Sequence, residues 1–171
     1  MITLIDGKIN SISQKSYDNF INSLEPHQLQ CCCGHHGCLI HHGRYYRSIK
    51  SNGCSIRLKI CRVICKVCKH THALLPSSIV PYSQIPVEKQ AEIIDCTEHG
   101  SDINTVLDAC IDENNARSVL RTYRKYWQER LRFARISIHP LTDLVHQCFR
   151  VFACQFMQIK STPNQLFVKP T

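Results

Sequence analysis

Residues 31–68 read CCCGHHGCLIHHGRYYRSIKSNGCSIRLKICRVICKVC and contain eight of the twelve cysteines in this 171-residue chain. The Asn52-Gly53 pair near their middle favours a tight hairpin turn, because both residues tolerate a positive φ. On either side we predict strands, Leu39 to Lys50 and Ser55 to Ile64, the second alternating apolar and polar residues. A hairpin of this size is marginally stable alone, so its open end needs a further stabilising element.

One pair of cysteines before the first strand and another after the second strand supply that element. Cys65-Lys66-Val67-Cys68 ends the second strand and presents two thiolates to one tetrahedral ion. Before the first strand, Cys33 and Cys38 form one candidate pair and Cys31-x-Cys33 forms another, and the sequence leaves the choice open. We therefore predict a structural Zn²⁺ ion, and its candidate ligands are Cys31, Cys33, Cys38, Cys65 and Cys68.

The residues around the cysteines argue against a catalytic metal. A catalytic zinc keeps one coordination position open with a carboxylate nearby, whereas residues 26–87 contain no Asp or Glu. A redox Cys-x-x-Cys pair follows a βαβ pattern, which is not seen here. Covalent haem attachment needs His directly after the second cysteine, where this chain has Lys69. We expect a protein that is not an enzyme.

Charge is strongly segregated along the chain. The formal net charge is +8, and residues 26–87 carry eight Lys or Arg side chains. Residues 88–116 have a net charge of −7, and residues 117–135 one of +6. Two basic segments separated by an acidic one predict two surfaces for an anionic partner.

The second half of the chain has helical periodicity. We predict helices at Val87 to Glu98, at about Ile103 to Cys110, and from Asp112 to about Arg135, which together outline a helix-turn-helix. The last of these has a continuous apolar stripe: Ala116, Leu120, Tyr123, Trp127, Leu131 and Ala134. A parallel polar stripe lies one residue further on: Arg117, Arg121, Arg124, Gln128, Arg132 and Arg135. The long helix can thus bury one side and offer arginines to a DNA groove.

The predicted fold class is therefore α+β, a zinc-ribbon β-hairpin followed by an all-α helix-turn-helix domain and a C-terminal helix. Candidate DNA-binding residues in the hairpin are Arg44, Arg47, Lys50, Arg57, Lys59 and Arg62. Those in the long helix are Arg117, Arg121, Arg124 and Lys125.

Three motifs together resemble a known kind of protein: Cys33-Gly34, His42-Gly43-Arg44-Tyr45, and the run from Ile60 to Pro76. They resemble the zinc-ribbon start of bacterial insertion-sequence transposases, and in particular a stand-alone family of unknown function encoded on mobile elements. The resemblance implies recognition of terminal-repeat DNA, with Cys65 and Cys68 as metal ligands. It does not imply catalysis, because such transposases use a later domain with three carboxylates.

We predict an N-terminal extension with a short helix (1–25), a zinc ribbon (26–75), a Pro-rich linker (76–86), the helix-turn-helix (87–138), and a C-terminal helix, from Leu141 to Ile159, with a tail (139–171). The partners we expect are double-stranded DNA, with a transposase or another protein and a second copy of the chain as further candidates, and no membrane. We expect no secretion signal and a cytoplasmic, nucleoid-associated location. Two alternatives stay open: a zinc-ribbon adaptor between proteins, and a metal-dependent nuclease or other enzyme.

Overall fold

A computed structural model describes residues 1–5, 12–159 and 165–168 of the chain. It has a mixed α+β fold, as predicted. Within these residues the strands form one sheet with the order β2-β3-β4-β1-β5. Their bounds are β1 (Ile2–Ile5), β2 (Leu39–Ser51), β3 (Cys54–Cys65), β4 (Thr71–Pro76) and β5 (Gln165–Val168). The α-helices are α1 (Gln14–Asn22), α2 (Val87–Glu98), α3 (Glu113–Tyr126), α4 (Gln128–Ala134) and α5 (Leu141–Phe152).

The hairpin of β2 and β3 lies where the sequence predicts it, with β2 one residue longer at the turn and β3 one residue longer at each end. The strands are antiparallel, and Tyr46 pairs with Lys59 in their middle. Asn52 and Gly53 form the turn with φ values of 51° and 71°. These left-handed values suit a two-residue turn whose twist matches that of the strands.

One interior strand of the sheet comes from the N-terminal segment, which the sequence did not predict as a strand. β1 pairs in parallel with β4 on one side and with β5 on the other. Ile2 and Leu4 are fully buried there. The short helix predicted in residues 1–25 is α1, and Ser13 begins it with a reciprocal capping box to Ser16. Most of the C-terminal tail prediction lies outside the described residues.

The sheet and α1 share one hydrophobic core, to which Tyr17 contributes a polar link. Its hydroxyl donates to the carbonyl of Leu74 in β4 and accepts from the backbone N–H of Cys61 in β3, at 3.0 and 2.8 Å. Tyr17 therefore links the backbones of β3 and β4 through one hydroxyl group.

The Pro-rich segment 76–86 is packed rather than solvated. Ile79 and Val80 are fully buried, and one Nη of Arg47 donates to the carbonyls of Val80 and Ser83. The backbone N–H of Lys50 donates to the carbonyl of Gln84 at 2.8 Å. The segment thus lies against the hairpin. The predicted domain boundaries themselves stay a prediction.

The helical half differs from the prediction in its second helix. Where we predicted an α-helix to Cys110, the chain has a 3-10 helix at Ile103–Val106. The Asp108 carboxylate then accepts from the backbone N–H groups of Cys110 and Ile111, at 2.8 and 2.9 Å. An Asx turn of this kind competes with the helix for backbone donors and ends it. The helix-turn-helix arrangement accordingly stays a prediction.

The predicted long helix is divided at Trp127. That residue has φ −120° and ψ −36°, which separates α3 from α4. Hydrogen bonds continue across the joint, since the N–H of Trp127 donates to Tyr123 and its carbonyl accepts from Leu131. The Trp127 ring is fully buried against the edges of Phe152 and Phe156, with ring centroids 5.8 and 5.3 Å away. We attribute the backbone angles of Trp127 to the packing of this large ring.

The C-terminal helix is shorter than predicted. α5 ends at Phe152 because Ala153 adopts a left-handed conformation, with φ 53°. The chain then turns, so that Phe156 and Met157 are buried in the core of the helical half. Gln155 Nε2 donates to the carbonyl of Ser77 at 2.6 Å, which ties this turn to the Pro-rich segment.

No helix in the described part of the chain is long and apolar enough to cross a lipid bilayer.

Candidate metal centre and basic surfaces

Four of the candidate metal ligands converge at the open end of the hairpin. The sulfurs of Cys31, Cys33, Cys65 and Cys68 all lie within 4.8 Å of one another. Cys31 and Cys68 are 3.5 Å apart, and Cys33 and Cys65 are 3.8 Å apart. Tetrahedral zinc with bonds of about 2.3 Å to sulfur requires an edge of about 3.8 Å. The cluster thus has the donor set and spacing to hold a metal ion.

The first pair lies in the loop before β2. The backbone N–H of Cys31 donates to the carbonyl of His35, and the N–H of Gly34 donates back to the carbonyl of Cys31, both at 2.9 Å. Gly34 has a φ of 87°, which a side chain would strain. This tight loop brings Cys31 and Cys33 into the four-sulfur group, which does not include Cys38.

The second pair lies in the turn after β3. The backbone N–H groups of Val67 and Cys68 point at the Cys65 sulfur, at 3.3 and 3.4 Å. The Lys66 N–H donates to the carbonyl of Cys38 at 2.8 Å, so this turn is bonded to the chain that follows the first pair. Two loops far apart in sequence are thereby held face to face.

Hydrogen-bond donors favour the thiolate form of Cys65. Burial works against the charged sulfur of Cys65, but hydrogen bonds from the Cys68 N–H, the Cys38 side chain and the Val67 N–H outweigh it. Together they lower the pKa of Cys65 to about 6. Thiolate is the form that binds a metal.

Cys38 takes a different place from the one predicted. Its sulfur lies 3.4 Å from that of Cys65 and 3.2 Å from the carbonyl of His35. It is not one of the four sulfurs that approach each other mutually. Burial raises the pKa of the Cys38 thiol, which favours the protonated form that donates to a neighbouring thiolate. Cys38 therefore supports the cluster from outside it.

His72 also reaches the cluster, and the sequence analysis did not select it. It is 1% exposed, and its Nε2 lies 3.3 Å from the Cys31 sulfur. Burial lowers the pKa of His72 to about 4, so the imidazole is neutral. The sequence of β4 indicates only that His72 is buried, because strand alternation places it between Thr71 and Ala73 and on the same face as Leu74.

All twelve cysteines are free thiols. Cys61, Cys96 and Cys148 are buried far from the cluster, and Cys54 lies exposed at the hairpin turn. No disulfide involves the four sulfurs of the cluster, so all four can act as metal ligands.

A family model for a domain of unknown function, DUF6431, matches residues 30–126, more than half of the chain. The chain belongs to the DUF6431 family. The family description names neither a transposase nor a zinc ribbon, so it adds no activity. The DUF6431 region contains every candidate metal ligand and candidate DNA-binding residue. No curated protein and no solved structure matches the chain.

Several basic side chains of the DUF6431 hairpin make contacts within the protein. Arg44 forms an ion pair with Asp18 of α1 at 2.8 Å, and Lys50 Nζ donates to Asn115 Oδ1 at 2.7 Å. Arg62 donates to Thr71 Oγ1 at 3.2 Å. With Arg47, which donates to the Pro-rich segment, these residues position neighbouring elements.

Two hairpin cations face solvent beside an exposed ring. The guanidinium carbon of Arg57 lies 4.2 Å from the centroid of the Tyr46 ring, and Lys59 Nζ lies 6.0 Å from it. Tyr46 is 56% exposed. We call Tyr46, Arg57 and Lys59 the hairpin face.

The remaining candidate DNA-binding cations lie together on α3. Arg117, Arg121, Arg124 and Lys125 line a shallow open recess with Leu120 at its floor. Arg117 pairs with Glu113 at 2.7 Å. In the part of the chain that the structure describes, Arg121 and Arg124 have no acidic partner within 4 Å. We call these four cations the α3 stripe.

Proposed function

We propose that the chain is a non-catalytic, zinc-dependent protein of the transposase-associated type that binds duplex DNA through the α3 stripe. The observation that carries the proposal is the arrangement of Arg117, Arg121, Arg124 and Lys125 around one exposed recess. Clustered exposed cations on one helix provide phosphate neutralisation and, for arginine, pairing with guanine edges.

The metal cluster supports the DNA interaction indirectly. Zinc bound by Cys31, Cys33, Cys65 and Cys68 fixes the open end of the hairpin, and its binding energy contributes to the folding energy of that part. The other end contacts the first turn of α3, where Lys50 donates to Asn115, and the segment before α3, where the thiol of Cys110 donates to the carbonyl of Gly53 at 3.2 Å. The hairpin face and the α3 stripe thereby belong to one packed body.

The hairpin face adds a second contact. Arg57 and Lys59 are exposed, in contrast to Arg47, and so are free to approach a phosphate backbone. Tyr46 beside them offers a flat apolar surface to sugar or base. We assign the hairpin face to contacts with the DNA backbone. Phosphate contacts of this kind position a protein on DNA without reading its sequence.

The acidic side chains are not placed to form a catalytic metal centre. Two groups of metal-ligating side chains occur within the described residues, and neither includes Asp or Glu. The acids of the segment 88–116 make local contacts instead. Asp112 caps α3, Glu113 pairs with Arg117, and Glu98 accepts from the Tyr123 hydroxyl. This supports a binding protein over a metal-dependent nuclease.

Fluorescence anisotropy with a labelled duplex of mixed sequence tests the proposal. We expect binding at low salt and an affinity that falls steeply as salt rises, because phosphate contacts release counterions. Arg121→Ala should lower the affinity and reduce the slope of log K against log salt by about 1. Arg150→Ala is the matched control, since it removes an exposed arginine of α5 outside the stripe.

Lack of binding at low salt by zinc-loaded protein would refute the DNA proposal. It would favour the alternative, an adaptor between proteins, for which the chain offers two exposed apolar side chains. Phe133 of α4 is 83% exposed, and Val151 of α5 is 50% exposed. In an adaptor, a partner protein would bury these two side chains.

A further inference from the structure

A second group of metal-ligating atoms adjoins the four-cysteine cluster. The sulfurs of Cys31 and Cys32 and a ring nitrogen of His72 lie within 4.8 Å of one another. The two sulfurs are 4.0 Å apart, and His72 Nε2 is 3.3 Å from Cys31. Cys31 belongs to both groups, so the two metal positions share one sulfur.

We propose that the chain binds a second zinc-like ion at Cys31, Cys32 and His72, with the Cys31 thiolate bridging the two ions. This inference rests on the zinc site of the proposed function. Two thiolates and one imidazole are ligands that zinc accepts, and a thiolate has enough lone pairs to bond two ions.

The charge of the cluster favours a second cation. One Zn²⁺ with four thiolates carries a net charge of −2 in a partly buried position. A second Zn²⁺ that adds only the Cys32 thiolate and the neutral His72 brings the net charge to −1. Less uncompensated negative charge then remains at this partly buried cluster, where a net charge is costly.

A hydrogen bond from His72 to the Cys31 sulfur would account for the histidine alone. It does not account for Cys32, whose sulfur approaches the same side of Cys31. The buried Nδ1 of His72 has no hydrogen-bond partner among the described residues, so the ring is held at the cluster by its Nε2 side. Three donors around one point are what a metal ion requires.

The two positions differ in their access to solvent. Cys32 is exposed, and the second group has only three protein ligands, which leaves one coordination position for water or another ligand. The first position has four protein ligands and is closed. We therefore expect the second ion to bind more weakly and to exchange faster.

Native mass spectrometry of the full chain titrated with Zn²⁺ tests the inference. We expect two ions on the unmodified chain and one on Cys32→Ser and on His72→Gln. Cys54→Ser, which removes an exposed thiol at the hairpin turn, should keep two. Because Cys32 is exposed, its replacement by serine costs no packing, so this variant remains informative even if His72→Gln folds poorly.

A chain that saturates with one ion contradicts the second site and leaves the first intact. Retention of two ions by both Cys32→Ser and His72→Gln also contradicts it. A chain that binds no zinc overturns the four-cysteine site as well.

Discussion

The sulfur of Cys31 lies 3.5 Å from the sulfur of Cys68, although the two residues are 37 positions apart in the chain. One precedes the hairpin and the other follows it, so their contact closes its open end. Cys33 and Cys65 lie around the same point, and none of the four sulfurs is in a disulfide, so their spacing suits an ion held between them.

Removal of the metal should loosen the hairpin. We expect a strong chelator to lower the thermal midpoint followed by circular dichroism and to make additional thiols reactive, because the four sulfurs lose the ion that holds them. Cys68→Ser should reproduce the loss, whereas Cys54→Ser should behave like the unmodified chain. An unchanged midpoint and thiol count with chelator present would argue that the cluster holds no stabilising metal.

The hairpin turn should depend on the conformation of residue 52. Asn52 is exposed and has a φ of 51°, so its side chain makes no packing contribution. Asn52→Val should lower the free energy of unfolding by about 1–2 kcal/mol, because a β-branched residue resists the left-handed region. Asn52→Gly should stay within about 0.5 kcal/mol of the unmodified chain. Urea denaturation measures both, and equal losses in the two variants would contradict the turn.

The Tyr17 hydroxyl should be a measurable link between β3 and β4. Tyr17→Phe leaves the Cys61 N–H and the Leu74 carbonyl without their side-chain partner, which should cost about 1–3 kcal/mol in unfolding free energy. Tyr126→Phe serves as the control, since Tyr126 is 40% exposed. If both variants unfold at the same urea concentration, Tyr17 does not make this link.

Arg47 and Arg57 should separate stability from DNA binding. Arg47 donates to two carbonyls of the Pro-rich segment, so Arg47→Ala should reduce the unfolding free energy by about 2 kcal/mol or more. Arg57→Ala, on the exposed face, should change it by less than about 0.5 kcal/mol while weakening DNA binding. Urea denaturation and fluorescence anisotropy of both variants check this. A stable Arg47→Ala variant together with a destabilised Arg57→Ala variant would contradict the assignment.

The hairpin was predictable because its determinants are local. Asn52-Gly53 sets the turn, alternation in β3 sets the faces, and the Cys65-Cys68 spacing marks the metal site. α2 was predicted with the bounds that the structure has, Val87–Glu98, since its period and the following Gly100 are also local signals.

Features that depend on distant contacts were not predictable. The strand Ile2–Ile5 is short, and only its parallel partners β4 and β5 show that it is an interior strand of the sheet. The joint at Trp127 depends on rings of α5 and the turn after it. His72 required knowledge that β4 lies beside the cysteine loops. In each case the deciding neighbour is far away in sequence.

X-ray absorption at the zinc edge distinguishes a four-thiolate zinc site from other sets of ligands. The protein is loaded with one equivalent of Zn²⁺, so that the tighter site is filled first. We predict a first coordination shell of four sulfurs at about 2.3 Å, supplied by Cys31, Cys33, Cys65 and Cys68. A shell made mainly of nitrogen and oxygen at about 2.0–2.1 Å would contradict the account.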